Sequence, residues 1–526
     1  MIRSVKTNEI KWNYVLPGFD PMQALSALGR DGLCVRKLGK KREVWRVERQ
    51  ERVFYVKLFS SSGLPAKRRE ADAIDRLAEL GVPVPTLAAR GYGGGGAVLI
   101  TEEVAGSQVL KDYFFTTFKG LSRIGRRRAV RSFAAFIRLL HDKGAMHKDP
   151  HMGNMLVIEK AGESKDGEGG DDERLEFCLL DLGEVEFKGK ASLEDRIANL
   201  ELINLNYMAG LDPSLKYCFF KAYGEGLFDD KAALRDAIEK VELGTLARAG
   251  KIWKKKAQRS MTGGKLFAEY TEGFFEVHMK KTWHESGALE AVIKDPDRFL
   301  DGDGAVIFKD GRTVKAGKVE LADGRKIFLK RYNIKGSVHT IKNIFRSSRA
   351  SRVWQMSYGA ELRGLLMPEP LAFIEERKKG RVLGRSYIIS EFIDEAPRLS
   401  DWALDFEGRA SSSSFRELLF RIGRELRRMH ILGWYHGDLK WNNILVKERT
   451  KSSKDDIFFL DIDGSSISIE LTSAEIKKDL ERFIAEIDKF GFSAVERDSF
   501  LSGYKSYSLG IRPSKDIVAI YRELGA

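Results

Sequence analysis

Apolar residues recur at helical spacing in "RSFAAFIRLLHDKGAM" (131–146) and again in "FRELLFRIGRELRRMHILGWY" (415–435), each with a glycine near its end. The pattern predicts two amphipathic helices that bury one face and stop at the glycine. A similar eleven-residue stretch follows each helix, "HKDPHMGNMLV" (147–157) and "HGDLKWNNILV" (436–446), closing in an aliphatic run that reads as a strand. Polar inserts come next, 159–174 and 447–456, with the composition of solvated hairpin tips. A second strand then ends in an acid, in "FCLLDLGEV" (177–185) and "IFFLDIDGS" (457–465).

The parallel extends upstream. "RVFYVKLF" (52–59) and "RKIFLKRY" (325–332) alternate as strands do and carry Lys57 and Lys330 on matching phases. Each leads through a basic helical stretch to a proline-punctuated turn, "ELGVPVPTLAA" or "LRGLLMPEPLA". An apolar strand and an acidic, hinge-like turn follow, "AVLITEEVAG" with Glu102 and "SYIISEFIDEA" with Glu391. Paired positions lie roughly 270–290 residues apart, far beyond the 20–50 residues of stacked solenoid units, so the chain is a two-copy domain repeat. The expected domains span 25–290 and 300–526, with the boundary between about 285 and 300, near the Gly/Asp/Pro-rich stretch "AVIKDPDRFLDGDGA" (291–305).

At 526 residues the chain is too long for one core, and 43% hydrophobic with 32% charged residues excludes wholesale disorder. A formal charge of +14 favours polyanionic partners: nucleotide phosphates, anionic lipid or nucleic acid. Nucleic acid is not expected, because no basic platform interleaved with aromatics and no zinc knuckle is present. The basic runs "GRRRAVR", "AKRRE" and "RSSRASR" are read first as solvated helix faces, with contact to an anionic lipid or sugar as the functional alternative. Three cysteines without a CxxC pair point to a reducing compartment. The first twenty residues lack a signal-peptide core and no run is long and apolar enough for a spanning helix, so a cytoplasmic protein, in peripheral contact with the inner face of a membrane, is expected.

Phosphoryl transfer needs a cation for the phosphates, ligands for magnesium and a carboxylate to orient the attacking hydroxyl. Each half supplies these groups in order. His147-x-Asp149 with Asn154 five residues later fits H-x-D-x-x-x-x-N, so Asp149 is the candidate base and Asn154 a metal ligand. Asp181 would bridge Mg2+ to the phosphates of ATP, Lys57 would hold phosphate oxygens, and Glu70 on the following helix would fix Lys57. In the second half the same roles fall to Asp438, Asn443, Asp461 and Lys330. Two departures stand out. The third position of the second Asp-x-Gly motif is Asp463, and the position matching Glu70 is Val353, with Glu361 the one acid on that helix. Lys330 therefore either lacks a helix partner or takes one from elsewhere. The phosphate-covering loop is reduced to Gly39 in the first half, and the glycine run at 93–96 reads as a hairpin tip. His147 and His151 have the spacing of helical metal ligands, but Pro150 opposes a helix there.

These motifs resemble those of the protein-kinase-like superfamily, duplicated in tandem. The second half, with "SRASRVWQMSYGAELRGLLMPEPLA", "HGDLKWNNILV" and "FFLDID", most resembles the bacterial lipopolysaccharide kinases that phosphorylate Kdo or heptose of the inner core. "DPHMGN" in the first half is similar to the loop of choline and aminoglycoside kinases. The resemblance implies an α+β fold of two bilobal domains, each with an antiparallel-sheet N-lobe and a helical C-lobe. It also implies an ATP- and Mg2+-dependent kinase acting on a sugar hydroxyl of a lipid-linked, anionic glycan. The alternative is a protein or other small-molecule kinase in which one half is a non-catalytic docking or regulatory module.

Overall fold

The computed structural model describes residues 7–39, 41–49, 51–160, 174–207, 212–333, 347–378, 382–404, 412–448 and 456–525. They form two compact units, Met1–Thr245 and Leu246–Ala526, each mixing an antiparallel sheet with helices.

In the first unit, strands β1 (Ile10–Val15), β2 (Leu33–Leu38), β3 (Arg42–Arg49), β4 (Arg52–Ser60), β5 (Leu87–Gly93) and β6 (Gly96–Glu102) form one sheet. Their order is β1-β5-β6-β4-β3-β2. Period-two alternation sorts β4 and β6 onto two faces. Phe54, Val56, Leu58, Val98 and Ile100 pack with Ala24 and Leu25 of the short helix Pro21–Ser26. Phe59, Ala97 and Leu99 face the other way, into the larger core that includes the helix Leu64–Glu79. Lys57 belongs to that second phase. The glycine run is the tip of the β5–β6 hairpin, where Gly93 pairs with Gly96.

The helical lobe is built on Arg123–Asp142, capped by Ser122 and burying Phe133, Ile137 and Leu140. Beside it β7 (Ser107–Val109), β9 (Met155–Lys160) and β10 (Arg174–Leu179) form a three-stranded sheet in the order β10-β9-β7, and β8 (Ala145–His147) pairs with β11 (Val185–Phe187). The helices Leu193–Tyr207 and Pro213–Tyr223 complete the lobe. The core of the insert 159–174 and that of 447–456 lie outside the described residues.

The second unit repeats this plan with an extra strand. Its sheet runs β12-β13-β17-β18-β16-β15-β14, from β12 (Phe267–Glu272), β13 (Phe275–Lys280), β14 (Val306–Asp310), β15 (Val314–Glu320), β16 (Lys326–Tyr332), β17 (Pro370–Lys378) and β18 (Val382–Glu391). The pairs β19 (Trp434–Tyr435) with β22 (Ser466–Ile467) and β20 (Ile444–Lys447) with β21 (Asp456–Phe459) flank the helices Ser412–Ile431 and Ser473–Lys489. The glycine that ends the first of these helices is obligatory: Gly433 has φ +75°, and a Cβ there would lie 1.9 Å from Ser468 O.

The division between units, at Thr245 and Leu246, falls earlier than the 285–300 at which the sequence places it. The hairpin β12–β13 turns at Gly273 (φ +58°) and joins β17, so residues before 290 belong to the second sheet. The turn-rich stretch is itself core: Leu289, Val292, Ile293 and Leu300 are buried against Val277, Ile327 and Leu329. Short helices (Glu290–Lys294, Pro296–Asp301) hide such a contribution, because neither is long enough to show a periodic pattern.

Candidate active site

Each eleven-residue stretch folds into the same hydrogen-bonded loop. In the first unit His147 is buried; its Nδ1 accepts the Asp149 backbone N–H (3.1 Å), and its Nε2–H donates to Leu180 O (3.1 Å). Asn154 is buried, donates its amide N–H to Asp149 O (3.0 Å), and accepts the Leu180 N–H at its backbone oxygen (2.8 Å). In the second unit the counterparts are His436 to Asp438 N (3.3 Å) and Leu460 O (2.9 Å), Asn443 to Asp438 O (2.9 Å), and Leu460 N to Asn443 O (2.8 Å). The histidine thus ties the loop of the aspartate to the strand end that carries Asp181 or Asp461. Burial pushes the pKa of both His147 and His436 down, and with both ring nitrogens used they are neutral struts. The spacing of His147 and His151 does not make a ligand pair, since both ring nitrogens of His147 are committed to the loop, while His151 Nδ1 accepts the Gly153 N–H (3.0 Å).

Asp181 and Asp461 share a left-handed backbone, φ 52° in both, that non-glycine residues rarely adopt. Each opens a tight turn, Leu182–Glu184 or Ile462–Gly464. Strain of this kind persists where the surroundings over-determine it, as at functional sites. Burial would raise both carboxyls. It is outweighed at Asp181 by the hydrogen bond and charge of Arg42 with help from Lys57 and Arg36, and at Asp461 by Lys330, so both lie below the usual carboxylate range.

The lysines are held differently. Lys57, opposite Val44 and Leu99 in the sheet, pairs with Glu70, which is buried. Arg42 lies 3.7 Å from Glu70 and 3.2 Å from Asp181. Lys330 instead donates to Asp461 and Asp463, both at 2.8 Å. Glu361 pairs with Lys280 (2.8 Å), so the lysine's partner comes from the loop.

The aspartates also differ. Asp149 is exposed, with His151 3.7 Å away. Asp438 is engaged by Arg482, from the helix Ser473–Lys489, and by Lys440 at 3.1 Å. That helix anchors the loop through buried Asp479, which accepts from His436 N (2.8 Å) and Gly437 N (2.9 Å); in the first unit Asn199 donates to His147 O (2.8 Å). Arg482, Arg42 and Asp479 were invisible to motif reading, because they lie on other elements; Arg349 was legible as part of a basic run and of the family-like segment, but its partner was not. Asp463 carried a signal, its departure from glycine.

Gly39 sits in the β2–β3 turn with φ +53° and open space around it, so backbone conformation is what requires glycine. The hinge acids are bound to protein: Glu102 pairs with Arg52, and Glu391 accepts the Glu369 N–H (2.9 Å).

The donor set fits a hard cation. With its amide N–H committed to the Asp backbone, the side-chain oxygen of Asn154 or Asn443 is the atom each can offer, beside an ionised carboxylate of Asp181 or Asp461. Among the described residues no cluster of three or more His, Cys, Asp or Glu side chains suits a metal, which leaves these oxygen pairs as the candidates. Among the described residues, too, no helix is long and apolar enough to cross a membrane.

The model of the Lipopolysaccharide kinase (Kdo/WaaP) family matches residues 29–210 and 309–504. Solved structures similar to the chain include "WaaP in complex with acyl carrier protein", at 24% identity over 44% of this chain and 99% of that one, TM-score 0.34. Another is the crystal structure of aminoglycoside-3'-phosphotransferase of type VIII, at 18% identity over 42% and 97%, TM-score 0.28. A search of curated proteins gives no match.

Proposed function

From the chain's membership of the Kdo/WaaP lipopolysaccharide kinase family, whose model covers both halves, we propose that this phosphotransferase moves the γ-phosphoryl group of ATP to a sugar hydroxyl of lipopolysaccharide core or a related anionic glycolipid. The observation that carries the reading is the duplicated loop, with the same four hydrogen bonds around Asp149 and around Asp438. In this reading Asp149 and Asp438 accept or orient the acceptor hydroxyl proton, and Lys57 and Lys330 hold phosphate oxygens. Gly39 lets the β2–β3 turn close over the phosphates. Asn154 with Asp181, and Asn443 with Asp461, would hold Mg2+, which when bound offsets phosphate charge. The hinge acids contribute through their backbone position, since their carboxylates are occupied. The net positive charge suits an acidic acceptor presented at a membrane surface.

A second reading, in which one unit docks or regulates, is favoured by one asymmetry: Arg482 and Lys440 engage Asp438, whereas Asp149 is exposed. Turnover of ATP with magnesium and extracted core lipopolysaccharide separates the two. Loss of the base in both units, Asp149→Asn with Asp438→Asn, is expected to lower acceptor phosphorylation at least about 100-fold. Each single variant removes its own unit's share, so a single variant at wild-type turnover marks its unit as the module. Wild-type turnover in the double variant would sink the assignment of both aspartates.

A further inference from the structure

Aligning the two sheets through their lysines exposes three linked differences. Lys57 faces Val44 across the β3–β4 ladder and Lys330 faces Ala316, so the strand position of Arg42 in the first unit is that of Val314 in the second. The helix position of Glu70 is that of Val353, and the loop position of Gly183 is that of Asp463. In the first unit the acid sits on the helix and the base on the strand: Lys57 to Glu70, Glu70 to Arg42, Arg42 to Asp181. In the second the acid sits on the loop and the base on the helix. Asp463 accepts from Lys330 (2.8 Å), from Arg349 at the start of the helix Arg349–Leu362 (3.0 Å), and from the hydroxyl of Tyr332 (2.6 Å). The lost strand arginine is replaced by buried Val314, and Tyr332, its ladder partner, supplies the hydroxyl.

We propose that Asp463 is the positioning residue of Lys330, a loop-borne substitute for the missing helix glutamate, with Arg349 and Tyr332 holding its carboxylate in place. The inference rests on the nucleotide-binding reading given above. Three donors converge on this one carboxylate, which a solvated turn residue would not need. Asp461 also touches Lys330, but it is the carboxylate assigned to the metal, which leaves Asp463 as the lysine's own partner. The consequence differs between units. Lys57 is set by a helix, so a shift of Leu64–Glu79 would release it. Lys330 is set by the loop that carries Asp461, so lysine and metal ligand answer to one element, and the helix Arg349–Leu362 enters through the bond of Arg349 to Asp463. Val353 and Asp463 line one cavity of about 180 Å³, which makes the transposition testable: a glutamate at 353 is close to valine in volume and opens onto the cavity that the lysine's present partner lines.

The test uses the full chain and an acyl-phosphate derivative of ATP that acylates phosphate-binding lysines, with each labelled peptide quantified by mass spectrometry and ATP as competitor. In Asp463→Asn the ATP concentration that protects Lys330 is expected to rise about tenfold or more, the loss of one charge-assisted bond, while protection of Lys57 is unchanged. Adding Val353→Glu to that variant, or using Asp463→Glu instead, is expected to restore most of the protection. Unchanged protection of Lys330 in Asp463→Asn overturns the inference alone. Loss that neither variant restores also overturns it, assigning Asp463 to loop folding. No protection of Lys330 in the wild type removes the nucleotide-binding reading of that unit and the inference with it.

Discussion

His436 shows how much one side chain decides at this site. It joins Asp438 N to Leu460 O from a position without solvent exposure, and Asp479 accepts its own backbone N–H. Replacing it by alanine strands a donor and a carbonyl and opens a void, so His436→Ala is expected to cost about 2–4 kcal/mol in denaturant unfolding of the full chain. A cost below about 0.5 kcal/mol would show that the loop does not depend on this strut. Motif spacing made His436, Asp438 and Asn443 legible because the bonds that join these three to one another span at most a few residues. Arg482 and Asp479 were not legible, since a contact across more than forty residues leaves no local pattern.

At the scale of elements, the helix Arg123–Asp142 packs on Leu193–Tyr207 and Pro213–Tyr223 through an apolar core that also holds a buried histidine. His141 bonds Tyr223 Oη (2.6 Å) and Asn199 Oδ1 (2.9 Å), and burial pushes its pKa down to about 4. The folded state therefore disfavours the proton that the unfolded chain, with an ordinary histidine near 6.5, takes up. Stability from this source is complete above pH 6.5 and declines as pH falls toward about 4, by at most about 3 kcal/mol. Denaturant midpoints for the first unit's transition across that window should fall with acidification, and His141→Gln, which does not titrate, should flatten the slope. An identical slope in both proteins would assign the acid sensitivity to other groups. Helical periodicity had marked the apolar face of Arg123–Asp142, but it could not tell that a histidine on that face is a satisfied core residue.

For the whole molecule, the chain's two compact units set where it can be divided. A piece covering residues 246–526 keeps β12, β13 and the buried Leu289, Val292, Ile293 and Leu300, and is expected to unfold cooperatively. One covering 300–526, the domain expected from sequence, lacks two strands of a seven-stranded sheet and most of that packing; it is expected to aggregate or lose a cooperative transition. Equal stability of the two pieces in thermal unfolding would show that the hairpin and short helices are dispensable. The boundary was misplaced because turn-forming residues and short helices resemble a linker when their burial is unseen.

The sequence alone determined the duplication, the antiparallel-sheet and helical lobes, and the order of lysine, aspartate, asparagine and aspartate in each half. Those features are local: periodicity, spacing within one loop, and a motif repeated in register. Only the tertiary structure decided what holds each group. Glu70 reaches Lys57 from a neighbouring helix, Asp463 takes that place for Lys330, and Arg482 reaches Asp438 while Asp149 stays exposed. Charge pairing depends on which elements are brought within a few ångströms, and the same composition of acids and bases permits more than one arrangement. The two halves therefore read alike as sequence and differ as electrostatic sites.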